Sequence, residues 1–215
     1  MSKQVLAWST GKDSTASGIL AKLHGIKIDQ IVTALPDPFK EELILKEKFE
    51  DFMGMEVTIV EGPTFDDFFF RRKKRGKYIG QIYGWPYMIS PSCARVMKWE
   101  PMAKACDPDT VFIIGIAKGE ARNVLTPNRS LLVEYGLTEE DAKNLCIEYG
   151  LLNPLYKRYK RTGCVRCPKQ GIDAIRKMKI YEPLKFQWCL DHDNESPGSF
   201  RPRITFLEYC RKYDI

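Results

Sequence analysis

Apolar residues fall along this chain in short runs separated by polar turns. Val5-Leu6-Ala7-Trp8 is a continuous apolar run closed by a polar turn, which predicts a buried strand. Within 15–23, Ala16, Ile19, Leu20 and Leu23 recur at helical spacing, and His24-Gly25 ends that helix with His24 at its C-terminal cap. Residues 28–35 read as a second strand stopped by Pro36 and Pro38, 41–53 as a charged amphipathic helix, and 56–60 as a third strand. Alternating strands and helices with short connections predict a parallel sheet with right-handed crossovers: a Rossmann-like α/β fold with helices on both faces.

Past residue 60 the pattern changes. Phe68-Phe69-Phe70 runs directly into Arg71-Arg72-Lys73-Lys74-Arg75, so 65–77 reads as a helix end or excursion, and Gly84-Trp85-Pro86 marks a loop. The spacing predicts a helix over 94–105, a strand over 111–116, and a helix over 138–149 opened by a Thr138 cap and by Glu139, Glu140 and Asp141 in its first turn. From about Tyr156 the chain turns basic and cysteine-bearing, with a helix near 171–179 and an irregular, charged tail. The expected organisation is an α/β domain over 1–155 and a small cysteine-bearing appendage over 156–215.

Composition narrows the classes. With 44% hydrophobic and 29% charged residues the 215-residue chain can bury a substantial core, and no apolar run approaches the ~20 residues that span a bilayer. The start, Met1-Ser2-Lys3, leads into a strand without a signal-peptide pattern, so a cytoplasmic location is expected. A net charge of +6 suits either a nucleic acid or a phosphorylated small molecule. Two histidines, His24 and His192, give no basis for a histidine-centred triad, and His192 between two aspartates reads as a surface residue.

The candidate chemistry begins at Ser9-Thr10-Gly11-Lys12-Asp13-Ser14. A strand, a small polar turn and a helix bring backbone N–H groups and the positive end of a helix dipole to one point. Gly11 allows close approach, Ser9, Thr10 and Ser14 offer hydroxyls, and Lys12 supplies a mobile positive charge. The Walker pattern is absent, which disfavours a kinase-type triphosphatase.

At these residues the sequence resembles the Ser-Gly-Gly-x-Asp-Ser pyrophosphate loop (PP-loop) of the adenine-nucleotide α-hydrolase superfamily, and within it the phosphoadenosine-phosphosulfate (PAPS) reductase-like family. Three further segments carry the resemblance: Gly84-Trp85-Pro86 followed by Cys93, Lys98 and Pro101; Gly115-Ile116-Ala117-Lys118-Gly119-Glu120-Ala121-Arg122; and Gly163-Cys164-Val165-Arg166-Cys167-Pro168. It implies a nucleotide at the C-terminal edge of the sheet, with Ser9, Thr10, Gly11, Lys12, Asp13, Ser14 and Gly115 at the phosphates. Lys98, Lys118, Glu120 and Arg122 would line the same pocket, and Lys12, Lys98 and Arg122 would stabilise charge in the reaction. ATP with Mg²⁺, cleaved to AMP and pyrophosphate with adenylation of an acceptor and onward sulfur transfer, is the leading expectation. The alternatives are a sulfonucleotide (PAPS/APS) reductase served by thioredoxin and a non-catalytic binding module. Thr10 stands where the family has glycine, and Ala34-Leu35-Pro36-Asp37 where it has Asp-Thr-Gly.

The seven cysteines lack the density of a secreted disulfide scaffold. Cys164 and Cys167 could hold one metal or form a redox pair. Cys93, from the resemblance, and Cys189 complete a four-ligand set for a 4Fe-4S cluster, with zinc or plain thiols as alternatives. Cys106 and Cys146 read as core residues. Arg71–Arg75 with Tyr78, Tyr83, Trp85 and Tyr87, and Tyr156–Arg161, mix charge with aromatic faces as single-stranded nucleic acid favours. Solvated charge over core aromatics is the plainer reading. The acceptor is left open, nucleic acid among the choices.

Overall fold

A computed structural model describes residues 2–88, 92–120 and 124–215. The chain forms two compact units, one of 1–61 with 101–162 and one of 62–100 with 163–215. Residues 62–100 thus group with the tail.

The first unit is built on four parallel strands, β1 (Gln4–Ala7), β2 (Gln30–Thr33), β3 (Val57–Ile59) and β4 (Val111–Ile113), in the order β3-β2-β1-β4. The register pairs Leu6 with both Ile31 and Ile113, and Ile31 with Val57. Because side chains alternate across a strand, these four residues form one row on one face. Against that row pack α1 (Lys12–Leu23), α2 (Lys40–Met53), α6 (Leu131–Glu134) and α7 (Glu139–Glu148). Phe49 of α2 is fully buried and stacks on Trp8 at 4.7 Å. Gly18 is the contact point of α1, since a Cβ there would lie 2.4 Å from the Phe49 ring. The opposite row, Val5, Ala7, Val32 and Phe112, is covered by Met102 of α5 (Glu100–Lys104) together with Cys106. The fold is therefore a Rossmann-like α/β sheet flanked by helices. The strand over 111–116 is shorter than its apolar run, ending at Ile113.

The second unit starts with α3 (Phe65–Phe70), capped by Thr64, and continues through a two-stranded excursion over 71–83. The helix expected over 94–105 is present with a defect: α4 (Ser92–Ala94) passes through a π-helical turn, Arg95–Trp99, before α5. The tail is not irregular. After α8 (Ile172–Tyr181), the helix expected near 171–179, it carries α9 (Pro183–His192) and α10 (Phe206–Lys212). Pro183 marks a start, because proline is tolerated at a helix's first position. An aromatic core holds this unit together. Phe65, Phe69, Trp85, Trp188, Phe200 and Phe206 meet mostly edge to face at 4.9–6.4 Å. At its centre the buried Asp193 carboxylate accepts from Trp85 Nε1 and from the amides of Phe206 and Leu207, each at 2.9 Å. His192 is not simply a surface residue; its ring packs on Phe70 and Trp188.

Candidate functional site

Chain order reverses between β1 and β4, since β2 and β3 lie to one side of β1 and β4 to the other. Such a reversal opens a crevice at the C-terminal ends of the two strands, the usual ligand position in open α/β sheets. The turn 8–11 leaves β1 there, and 114–119 leaves β4. They touch: a Cβ on Gly115 would lie 2.5 Å from Ser14 N and 2.8 Å from the Asp13 carbonyl carbon. Glycine at 115 therefore sets how closely β4 approaches the start of α1.

The turn is built from small groups. Gly11 caps α1 without a side chain, so the first-turn amides have no self-cap at this residue. The Ser14 hydroxyl closes the turn, accepting from Ser9 N at 3.0 Å and donating to the Gly11 carbonyl at 3.1 Å. Thr10 lies at φ 61°, a left-handed conformation that a β-branched residue rarely takes. Its buried hydroxyl is tied to Glu42 Oε1 at 2.5 Å, while Glu42 Oε2 accepts the Phe39 amide at 2.9 Å. From the far side Asn153 Nδ2 donates to the Thr10 carbonyl at 3.0 Å. The Lys12 amide donates to the Tyr156 hydroxyl at 3.2 Å. Ser9, Thr162 and Tyr156 hydroxyl oxygens surround Gly11, at 3.4–3.8 Å from where a Cβ would be.

The charges are arranged around one ammonium. Lys12 Nζ sits 2.8 Å from Asp13 Oδ1 and 2.7 Å from Glu139 Oε2, at the head of α7. Burial works against the Lys12 charge, but the hydrogen bonds to Asp13 and Glu139 outweigh it and its pKa is raised. At Asp13 the balance is reversed. Burial raises its pKa, assisted by the charges of Glu139 and Glu120, and Lys12 only partly offsets this. Glu120 Oε1 accepts the Ala117 amide at 2.9 Å, holding the turn after β4. A helix start, a set of hydroxyls and a half-buried ammonium paired with two carboxylates thus meet at this crevice.

Of the predicted residues, Ser9, Thr10, Gly11, Lys12, Asp13, Ser14, Gly115 and Glu120 gather at this crevice. Lys118 is exposed, with its ammonium toward Gly136 on the approach to α7. Arg122 lies outside the described residues. Lys98 sits on the π-helical turn of the second unit. Within Tyr156–Arg161, Tyr156 meets the turn, Arg158 pairs with Glu41 and Tyr159 is buried against Phe39, while Lys157, Lys160 and Arg161 are exposed. Sequence reasoning missed Glu42, Asn153, Tyr156 and Thr162 as site residues. Only Asn153-Pro154, which opens a 3-10 turn, left a local trace.

The cysteines of the second unit stand differently. In the pair's turn the intervening Val165 and Arg166 are buried, and the Arg166 guanidinium lies 4.4 Å from both the Phe65 and Trp188 rings. Burial raises the pKa of Cys93, and the neighbouring charge of Cys167 adds to it. Cys189 is wholly buried in α9. Among the described residues no three His, Cys, Asp or Glu side chains converge as a metal site requires. Cys146 is core, as expected, and burial pushes its thiol up to about 12.

Fold and site thus define an α/β protein with a polar crevice where its strand order reverses. No protein-family model matches the chain, and no curated protein matches it as a relative. Among the described residues no helix is long and apolar enough to cross a membrane.

Proposed function

We propose that the chain is a PAPS reductase-like PP-loop enzyme that binds ATP by its phosphates and cleaves it to AMP and pyrophosphate while adenylating an acceptor. One observation carries the reading: the start of α1, the hydroxyls of Ser9, Thr162 and Tyr156, and the Lys12 ammonium meet where the strand order reverses. The choice of an adenine nucleotide rests on the sequence resemblance.

In this reading an acceptor oxygen attacks the α-phosphorus. The bond from that phosphorus to the bridging oxygen breaks, and its electron pair leaves with pyrophosphate; any acceptor proton passes to solvent. Charge grows on the departing oxygens, where Lys12 and the first-turn amides of α1 stabilise it. Asp13 and Glu139 already share one cation, and a hard divalent ion is commonly held by one or two carboxylates with phosphate oxygens. Mg²⁺ held by that pair would neutralise phosphate charge. The sulfonucleotide reductase alternative needs a reactive C-terminal thiol. Cys210 is buried in α10 and burial pushes its thiol up to about 11, the wrong direction for a nucleophile.

Incubation with ATP, Mg²⁺ and a panel of acceptors tests the reading. AMP and pyrophosphate should appear in equal amounts, and Lys12→Ala should slow their formation about 100-fold, the scale of losing one preorganised charge contact. ADP as the only product would refute it.

A further inference from the structure

Between Phe68 and Trp99 the chain has no Asp or Glu, yet it carries eight Lys and Arg residues. Six of these, Arg71, Arg72, Lys73, Lys74, Arg75 and Lys77, lie on the excursion after α3. It is an ordered two-stranded arm. Lys73 N donates to the Gln81 carbonyl at 2.8 Å, Gly80 N to the Lys73 carbonyl at 2.9 Å, and Tyr83 N to the Arg71 carbonyl at 2.9 Å. The nearest carboxylates in sequence are committed elsewhere, Asp66 to Arg166 and Asp67 to Thr64. Among the described residues none of the six cations has a carboxylate partner. Like charges have been concentrated here without compensation, which disfavours the arm unless an anion meets it.

Two further features say which anion. A cavity of about 480 Å³, lined by Arg71, Arg72, Lys73, Lys74, Arg75 and Tyr83, has the size of a small-ligand pocket. Aromatic faces are interleaved with the charges: Arg71 lies 4.2 Å over Tyr83, and Lys73 and Lys77 lie 5.3 and 5.6 Å from the exposed Tyr78 ring. Cations beside ring faces suit phosphates alternating with flat bases. A membrane surface would instead call for a contiguous apolar edge, and within the arm only Ile79 and Tyr78 are large and exposed. A duplex hides its base faces from stacking.

We infer that the 71–83 arm is a docking surface for single-stranded nucleic acid, gripping the phosphodiester backbone with Lys74, Arg75 and Lys77 and stacking a base on Tyr78. The inference concerns the second unit alone and stands or falls separately from the nucleotide reading above.

Fluorescence anisotropy with the full chain tests it, using labelled 20-nucleotide DNA and RNA single strands, the matching duplex, polyglutamate and anionic vesicles. Single strands of either or both sugars should bind best. Contact of these three cations with about three phosphates predicts an affinity loss of about 20-fold between 50 and 200 mM salt. The triple change Lys74→Glu, Arg75→Glu, Lys77→Glu should abolish binding. Tyr78→Ala should weaken it about fivefold or more while leaving the salt dependence intact. Neither variant should melt below the parent, and the ATP affinity of both should match it, because these side chains are exposed and outside the first unit. Equal or tighter binding to duplex, polyglutamate or vesicles, or undiminished strand binding by the triple variant, overturns the inference.

Discussion

Replacing Gly115 by alanine is the sharpest test of the crevice. The added methyl would sit 2.5 Å from Ser14 N, 2.8 Å from the Asp13 carbonyl carbon and 2.9 Å from Ser14 Cα. All three are main-chain atoms of the first turn of α1, so no side chain can swing away. Ordinary contact lies near 3.5 Å, so strand and helix must part by about 1 Å. Overpacking of that kind costs about 1–3 kcal/mol. The larger effect falls on turnover: the shift moves the amides, the Ser14 hydroxyl and Lys12 together, and a 1 Å misplacement is worth about 100-fold in rate. Gly115→Ala should therefore remain folded, lose about 1–3 kcal/mol in urea unfolding, and release pyrophosphate from ATP about 100-fold more slowly. Gly163→Ala, whose methyl would meet nothing within 4 Å, serves as the control. Wild-type turnover by a folded Gly115→Ala protein would show that the reaction does not use this turn.

Three further outcomes follow from the same geometry. Tyr156→Phe removes the hydroxyl that faces the Lys12 amide and should weaken ATP binding about tenfold with under about 1.5 kcal/mol of stability lost; unchanged or tighter binding would remove Tyr156 from the site. Thr10→Gly relieves about 1–2 kcal/mol of left-handed strain but forfeits a buried bond to a carboxylate worth about 1.5–3, so the order of stability in chemical denaturation should be Thr, then Gly, then Thr10→Val, which keeps the strain and loses the bond. Asp67, Asp141 and Glu208 have pKa values lowered by capping hydrogen bonds with Thr64, Thr138 and Thr205, so their stabilisation is present above the ordinary carboxylate values of 3.8 and 4.5 and is lost as pH falls through the lowered ones. Melting temperature should fall below about pH 4, and Thr138→Val with Thr205→Val should flatten that decline.

The sheet was legible because burial writes itself locally. Val5-Leu6-Ala7, the apolar run within 28–35 and the run from Val111 are continuous, as strands covered on both faces must be. Of the tail, α8 was legible but α9 and α10 were not, because they bury few residues of their own. In α9 only Phe186 and Cys189 are buried while Leu184 is 85% exposed, so no clean apolar stripe marks it. Its partners are aromatics from Phe65 to Trp85, about 100 residues earlier in the chain. The crevice divides the same way. Its strand, turn and helix are consecutive, whereas Asn153 and Tyr156 reach it across 143 and 144 residues.

Thr10 joins these two kinds of information. Glycine would reach the left-handed conformation without strain, and its absence leaves open how the turn is held. The structure answers with Glu42, 32 residues on in α2, whose carboxylate holds the Thr10 hydroxyl and the Phe39 amide at once. Where a glycine would be freely flexible, this turn carries a side chain tied to a neighbouring helix. The backbone shape of the turn is then set by tertiary contact, with Asn153 fixing the Thr10 carbonyl from the other side. Preorganisation of the amides thus depends on α2 and on the segment after α7, which makes Glu42 and Asn153 positioning residues of the site although neither bears on a ligand directly.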